Sequence, residues 1–310
     1  MRLITILLLL WNGLFLNGQS NGLIETDIEI NEWVEGTLLI PANTKKPELA
    51  IIIAGSGPTD RNGNQNFLKN NSLKKLAIGL SENNIASFRY DKRSVKQLKM
   101  GKLDKKIIFD DFVSDAKEVL AYFKDDPKFS KIYVVGHSQG SLIGMLAYNK
   151  DIDGFVSLAG SGKNIGDVLI EQVNKTAPFY TEATKDVVEK LKDGKKTKDY
   201  PKELGSMFNE DIQEFMISWM KYNPTEEIQK IQAPILILNG TKDLQIPVTE
   251  AERLKAANEN AEIKIIENVN HMLFEIEGSD LENSKSYNES FRKISTELIT
   301  SIVTFIESNR

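Results

Sequence analysis

The sequence predicts an α/β fold, a mostly parallel sheet covered by helices, and three observations carry that expectation. Short β-rich runs recur along the chain, the clearest being the continuous apolar residues 49–54, the mark of a strand buried on both faces. Stretches with apolar residues at helical spacing alternate with these runs, the rhythm of consecutive β-α-β units. At one of those junctions, Gly136-His137-Ser138-Gln139-Gly140 stands between a strand-like run and a helical one.

The elements follow in order. Residues 28–30 and 33–40 read as two strands around Asn31-Glu32, a hairpin at the sheet's edge. After a loop bracketed by Pro41 and Pro47 comes the strand at 49–54, then the polar, Gly-rich stretch from Gly55 to Asn64. Ser72 reads as the N-cap of a helix carrying Leu73, Leu76, Ala77 and Leu80. A strand at 85–90 ends in Asp91-Lys92-Arg93, and a helical stripe runs through Phe112, Val113, Ala116, Val119, Leu120 and Phe123. Residues 132–135 lead into the Ser138 turn and its helix, and 155–159 form the next buried strand.

The alternation then stops. Residues 163–232 show only helical stretches, too many residues for a loop of a compact domain, and are expected to form a helical cap over the sheet's C-terminal edge. It resumes with a strand at 235–238, a helix through Ala251, Leu254 and Ala257, a strand at 263–266 and a last helix over 288–306. The expected organisation is a core of residues 19–162 and 233–310, interrupted by the cap at 163–232, after a leader at 1–18. That leader is read from Arg2, the apolar run 3–16 and a small residue, Gly18, at a cleavage point. The run is shorter and more interrupted than the ~20 residues a spanning helix needs, so export is expected and a stable membrane anchor is not.

Composition narrows the chemistry. A net charge of −5 argues against nucleic acid as a partner. The chain has no cysteine, which removes disulfides, thiolate metal sites and a cysteine nucleophile. It has two histidines, His137 and His271, so imidazole chemistry must use one of them.

In Gly136-His137-Ser138-Gln139-Gly140 the serine sits on a sharp turn that exposes its hydroxyl, and the flanking glycines remove Cβ atoms that would strike the neighbouring strand and helix. A serine hydroxyl needs a base within hydrogen-bonding reach and an orienting group behind that base. Ser138, Asp243 and His271 each follow the C-terminal end of a predicted strand, where catalytic groups gather in such sheets. His137, inside the turn, points away from its neighbour, which leaves His271 as base and Asp243 as its orienting carboxylate, with Asp280 and Glu275 as more distant substitutes. The oxyanion donors are expected to be the backbone N–H of Gln139 and that of Ser56, with Gly57 as the alternative to Ser56. Gly55-Ser56-Gly57 lacks the lysine of a phosphate loop, and Asp60, Asn62 and Asn64 begin a calcium-loop pattern that Gln65 and Asn71 break, so no metal or organic cofactor is expected.

With these residues identified, the chain resembles the α/β-hydrolase superfamily, and within it the bacterial serine hydrolases called serine aminopeptidase-like or acyl esterase-like. The resemblance spans about residues 28–308. It rests on Ala54-Gly-Ser-Gly-Pro-Thr-Asp-Arg61, Phe88-Arg-Tyr-Asp-Lys-Arg93, Gly136-His-Ser-Gln-Gly140, Asn239-Gly-Thr-Lys-Asp243 and Asn270-His271. It implies an eight-stranded, mostly parallel sheet, a lid between strands six and seven, and the chain order Ser…Asp…His. Two residues depart from the family: Ala54 stands where many relatives have His, and Ser94 where Arg93 is usually followed by Gly. Asp91, Lys92 and Arg93 are expected to form a structural charge network near the site.

The expected activity is hydrolysis of small carboxylic esters through an acyl-enzyme. The alternative within the class is removal of N-terminal residues from short peptides, for which Glu171, Glu182 or Glu189 of the cap would hold the substrate's amine. A further alternative is a binding protein that keeps the fold without chemistry, which the presence of all three triad residues disfavours.

Overall fold

The computed structural model describes residues 22–101, 104 and 106–310, so the expected leader at 1–18 lies outside the described residues. The chain opens with β1 (Leu23–Glu29), β2 (Glu35–Pro41), β3 (Leu49–Ile53), α1 (Ser72–Glu82), β4 (Ala86–Tyr90), α2 (Arg93–Lys99) and α3 (Phe109–Phe123). It continues through β5 (Ile132–His137), α4 (Gln139–Ala147) and β6 (Gly154–Leu158). Five helices follow before the next strand: α5 (Ile165–Thr176), α6 (Thr181–Lys192), α7 (Gly205–Phe208), α8 (Glu210–Met220) and α9 (Pro224–Ile228). The remainder is β7 (Ile235–Gly240), α10 (Val248–Ala257), β8 (Glu262–Ile266), α11 (Asp280–Ser286) and α12 (Thr296–Ser308).

The eight strands make one sheet in the order β1-β2-β4-β3-β5-β6-β7-β8. β2 runs antiparallel to β1 and β4, and the pairings from β4 through β8 are parallel. From β3 the chain steps to β4 on one side and returns to place β5 on the other. The loops after β3 and β5 therefore leave neighbouring strand ends in diverging directions, which opens a crevice at that point of an α/β sheet.

Alternation along each central strand divides the core. Leu49, Ile51, Ile53, Ile132 and Val134 face one layer, with α3, α4 and α10; Ala50, Ile52, Tyr133 and Val135 face the other, with α1 and α12. Side chains buried on both faces explain why these strands read as unbroken apolar runs. A third cluster (Val173, Val187, Val188, Leu191, Leu204, Phe208, Met216, Met220) belongs to the helices between β6 and β7. That insertion is fastened to α3: Trp219 stacks on Phe109 with ring centroids 5.4 Å apart, Ser218 Oγ accepts from the Phe109 N–H at 2.7 Å, and Tyr222 bonds Asp110.

Several boundaries differ from the sequence expectation. β1 begins at Leu23, upstream of Ile28, because its polar residues pair with β2 on an exposed edge where no apolar pattern is needed. Trp33 lies in the hairpin turn, where Asn31 Oδ1 accepts from the N–H groups of Trp33 and Val34. Ser72 is the first residue of α1; the cap position is Asn71, in the left-handed region at φ 57°, and Asn70 Oδ1 accepts from the Ser72 N–H. The last helix starts at Thr296, where Ser295 caps it, and α2 and α11 are additional.

Candidate active site

Ser138 follows β5 with φ 54° and ψ −120°, a strained conformation for a residue with a side chain. Its N–H is anchored to the Leu158 carbonyl at 2.9 Å. The close approach that produces the turn is visible at the flanking glycines: a Cβ at Gly136 would stand 2.4 Å from the Gly140 carbonyl oxygen, and one at Gly140 would stand 2.2 Å from that of Ile53. α4 begins directly after the serine, so the Gln139 N–H is one of the helix's unpaired first-turn donors.

Asp243 and His271 come from the loops after β7 and β8. His271 Nδ1 donates to Asp243 Oδ2 at 2.7 Å, with both side chains almost fully buried. The carboxylate accepts, so Nδ1 carries the proton and the Nε2 lone pair is left open. Asp243 Oδ1 accepts from the N–H groups of Gln245 and Ile246, both at 2.8 Å, which locks the carboxylate. Asp243 is therefore the partner of His271, rather than Asp280 or Glu275. His137 is turned away from Ser138: its Nε2 donates to the His271 carbonyl at 2.9 Å. Burial first, and then the charge His271 would carry, push the His137 imidazole down to about 3, so it is neutral at physiological pH.

The sequence did not reveal the device that joins the two loops. Asn270 Nδ2 donates to Asn283 Oδ1 at 2.9 Å and to Ser286 Oγ at 2.8 Å, and Asn283 Nδ2 donates to the Lys242 carbonyl at 2.6 Å. α11 thus ties the residue before His271 to the residue before Asp243. Asn270 and Asn283 are both fully buried and hydrogen-bonded to each other, yet an isolated asparagine, in a loop or in a short helix, carries no sequence signal for this.

Two cavities meet at Ser138. One, of about 90 Å³, is bordered by Ser56, Ser138, Gln139, Leu142, Val168 and Trp219. The other, of about 200 Å³, is bordered by Ser56, Gln65, Asn70, Ser138, His271 and Tyr287. Ser56 borders both, whereas Gly57, at φ 78°, borders a separate apolar groove with Pro58, Phe112 and Phe215. Ser56 and Gln139 thus share the smaller cavity with Ser138, and Ser56 and His271 share the larger one with it.

Of the Asp91-Lys92-Arg93 run, the outer two residues form the expected network. Asp91 pairs with Arg61 and Lys99, each at 3.0 Å; burial raises its carboxyl, but those hydrogen bonds outweigh it and hold it below its ordinary value. Arg93 pairs with Asp115 at 2.6 Å and Asp111 at 3.2 Å. Lys92 points elsewhere, to the loop after β3. Among the described residues, no three acidic or imidazole side chains stand together as a metal site would require.

A doubly covered parallel sheet with a serine elbow and an Asp–His pair on its adjoining strand-end loops defines an α/β-hydrolase. Residues 70–278 match the family described as serine aminopeptidase, S33, and the chain belongs to that family. Esterase EstD of Thermotoga maritima is 25 % identical over 267 residues, which cover 82 % of this chain and 61 % of that protein. Among solved structures, Est1E from Butyrivibrio proteoclasticus superposes with a TM-score of 0.57 at 15 % identity, covering 92 % of this chain and 98 % of its own. A putative lipase from Acinetobacter baumannii gives 0.54 at 18 % identity, covering 93 % and 92 %. These two likenesses establish the fold.

Proposed function

We propose that the chain is a serine hydrolase that cleaves small carboxylic esters through an acyl-enzyme on Ser138. The observation that carries this reading is the buried His271–Asp243 hydrogen bond, with Ser138 on its strained turn bordering the same cavity as His271. His271 Nε2 takes the Ser138 proton as Oγ forms a bond to the ester carbonyl carbon, and the carbonyl π pair moves onto oxygen. The N–H groups of Ser56 and Gln139 receive that oxyanion. Its collapse breaks the bond to the alkoxide, which takes the proton from His271. Water then repeats the sequence, releasing the acid and restoring Ser138. Asp243 holds the imidazole in the tautomer this requires and stabilises its charged form.

Esters are favoured over peptides by what borders the cavities. A peptidase acting on N-termini needs a carboxylate to receive the substrate's ammonium, and no acidic residue borders either cavity among the described residues. Glu171 pairs with Lys163 and Glu182 with Lys185, and both are exposed. The esterase relative and the structure of Est1E with ferulic acid bound support a small ester as substrate class. The helices between β6 and β7 act as the cap, contributing Val168 and Trp219 to the smaller cavity. The same reading takes the protein as exported, with the chain cleaved near Gly18, which the mass of the mature protein would establish.

The test is turnover of p-nitrophenyl esters of graded chain length beside amino-acyl naphthylamides, with Ser138→Ala in parallel. Ester turnover abolished by the substitution supports the reading. Dominant amide turnover would move it to the peptidase, and activity surviving in Ser138→Ala would end it.

A further inference from the structure

We propose that Lys92 is a positioning residue of the oxyanion site, holding the Gly55–Ser56 peptide unit so that the Ser56 N–H is presented to the reacting carbonyl. The inference rests on the ester-hydrolase reading above. Lys92 is 3 % exposed and lies 4.7 Å over the Phe112 ring, with no carboxylate at ion-pair distance among the described residues. A buried ammonium without a counter-charge is costly, and such a group calls for an explanation. Its hydrogen bonds give one: Nζ donates to the Gly55 carbonyl oxygen at 2.6 Å and to Gln139 Oε1 at 2.5 Å.

Gly55 C=O and Ser56 N–H belong to one planar trans peptide, so they point in opposite directions. Fixing the carbonyl on Lys92 fixes the N–H on the other side. The next peptide is fixed as well, because the Ser56 carbonyl accepts from Thr59 Oγ1 at 2.7 Å and Gln65 Nε2 at 3.0 Å. Without the lysine, the peptide preceding Ser56 could rotate and turn its carbonyl lone pairs toward the oxyanion. Gly55 makes that rotation sterically open, having no side chain to oppose it. The second bond places the same ammonium against the side chain of Gln139, whose own N–H is the other proposed donor. The ammonium thus stands behind the Ser56 N–H through the Gly55 carbonyl, polarising that donor toward the developing negative charge, and it also holds the side chain of the residue that carries the other donor.

The experiment compares wild type, Lys92→Met and Ser138→Ala on one activated ester. Methionine keeps the length and the contact with Phe112 but cannot donate. Lys92→Met is expected to lose about 10²-fold in kcat with KM changed by less than threefold. It should bind a trifluoromethyl ketone, which adds Ser138 to form a hemiketal oxyanion, about 10²-fold more weakly, while a non-hydrolysable ether analogue binds equally to both. Because the chain has no cysteine, Lys92→Cys can be alkylated selectively while unfolded and then refolded. The aminoethyl adduct restores an ammonium and should recover kcat to within tenfold, whereas the propyl adduct, of the same length, should not. This pair decides the matter if Lys92→Met fails to fold. A folded Lys92→Met with kcat within threefold of wild type, a loss confined to KM, or equal activity of the two adducts would overturn the proposal while an inactive Ser138→Ala left the esterase reading intact. Full activity in Ser138→Ala would remove the esterase reading and this inference with it.

Discussion

His137 and His271, the only histidines of the chain, are joined by a hydrogen bond from His137 Nε2 to the His271 carbonyl at 2.9 Å, with ring centroids 4.9 Å apart. Burial drives His137 down to about 3, below its ordinary 6.5. A histidine whose folded value is depressed contributes stability that is present above 6.5 and lost as pH falls toward the folded value. His137→Gln, which keeps a donor for the His271 carbonyl, should lack that dependence. Denaturant melts from pH 6.5 to pH 4 should show wild type losing up to ~1.4 kcal/mol per pH unit more than the variant. Parallel losses would mean that His137 is not held neutral.

Asp243 performs two tasks with its two oxygens, and substitution can separate them. Asp243→Asn keeps an oxygen to accept from the N–H groups of Gln245 and Ile246, but it no longer holds His271 Nδ1–H as a carboxylate does. It should fold with a melting temperature close to wild type and lose roughly 10³–10⁴ in kcat through the wrong imidazole tautomer. Asp243→Ala should lose both the activity and the loop's anchor, melting several degrees lower. A well-folded Asn variant within tenfold of wild-type kcat would dismiss Asp243 as the orienting group.

Trp219 sets the size of the smaller cavity. It borders that 90 Å³ space while stacked on Phe109. His271, the acid for the leaving alkoxide in the proposed mechanism, does not border that cavity, so the proposal assigns the acyl group to this side. Trp219→Ala should therefore shift preference toward longer acyl chains. Each methylene newly buried adds ~0.8 kcal/mol, so two of them favour the longer ester by roughly tenfold. The lost stacking lowers the melting temperature by several degrees. An unchanged ratio of kcat/KM between acetyl and octanoyl esters would place the acyl group elsewhere.

The parts of this fold legible in sequence are those written in repeated pattern. The strand at 49–54, buried on both faces, has a continuous apolar signature, and the Ser138 turn is marked by glycines whose Cβ atoms would strike backbone. β1 was only half legible, because an exposed edge strand carries Glu25, Thr26 and Asp27 in place of apolar alternation. α11 was invisible for a related reason. Its seven residues turn polar side chains, Asn283 and Ser286, inward to bond the loops behind His271 and Asp243, and no periodicity of apolar residues announces it. Lys92 is the exception within its run: the sequence places Asp91, Lys92 and Arg93 together in one charge network, but only Asp91 and Arg93 join salt bridges, while Lys92 turns to the Gly55 carbonyl, which nothing in the run of three charges marks.

Lys92 also links activity and stability with opposite signs. Burial pushes its ammonium from 10.5 down to about 7. The groups packed on it from neighbouring elements are the Gly55 carbonyl, the Gln139 side chain and the Phe112 ring, all uncharged. Nearby charges are engaged with one another: Asp91 with Arg61 and Lys99, and Asp111 and Asp115 with Arg93, while His137 at the end of β5 is neutral. Above about 7 the folded chain sheds this proton while the unfolded chain keeps it to 10.5, so the cost of burying the charge is relieved and stability rises with pH across that window. On the proposal above, the same deprotonation removes the charge behind the Gly55–Ser56 peptide, so kcat should fall. Between pH 7 and 9, then, wild type should gain resistance to denaturant as it loses turnover, and Lys92→Met should show neither slope. Ordinary alkaline damage lowers both quantities together, so a joint decline in wild type, or identical slopes in the two chains, would show that Lys92 is not the group that titrates.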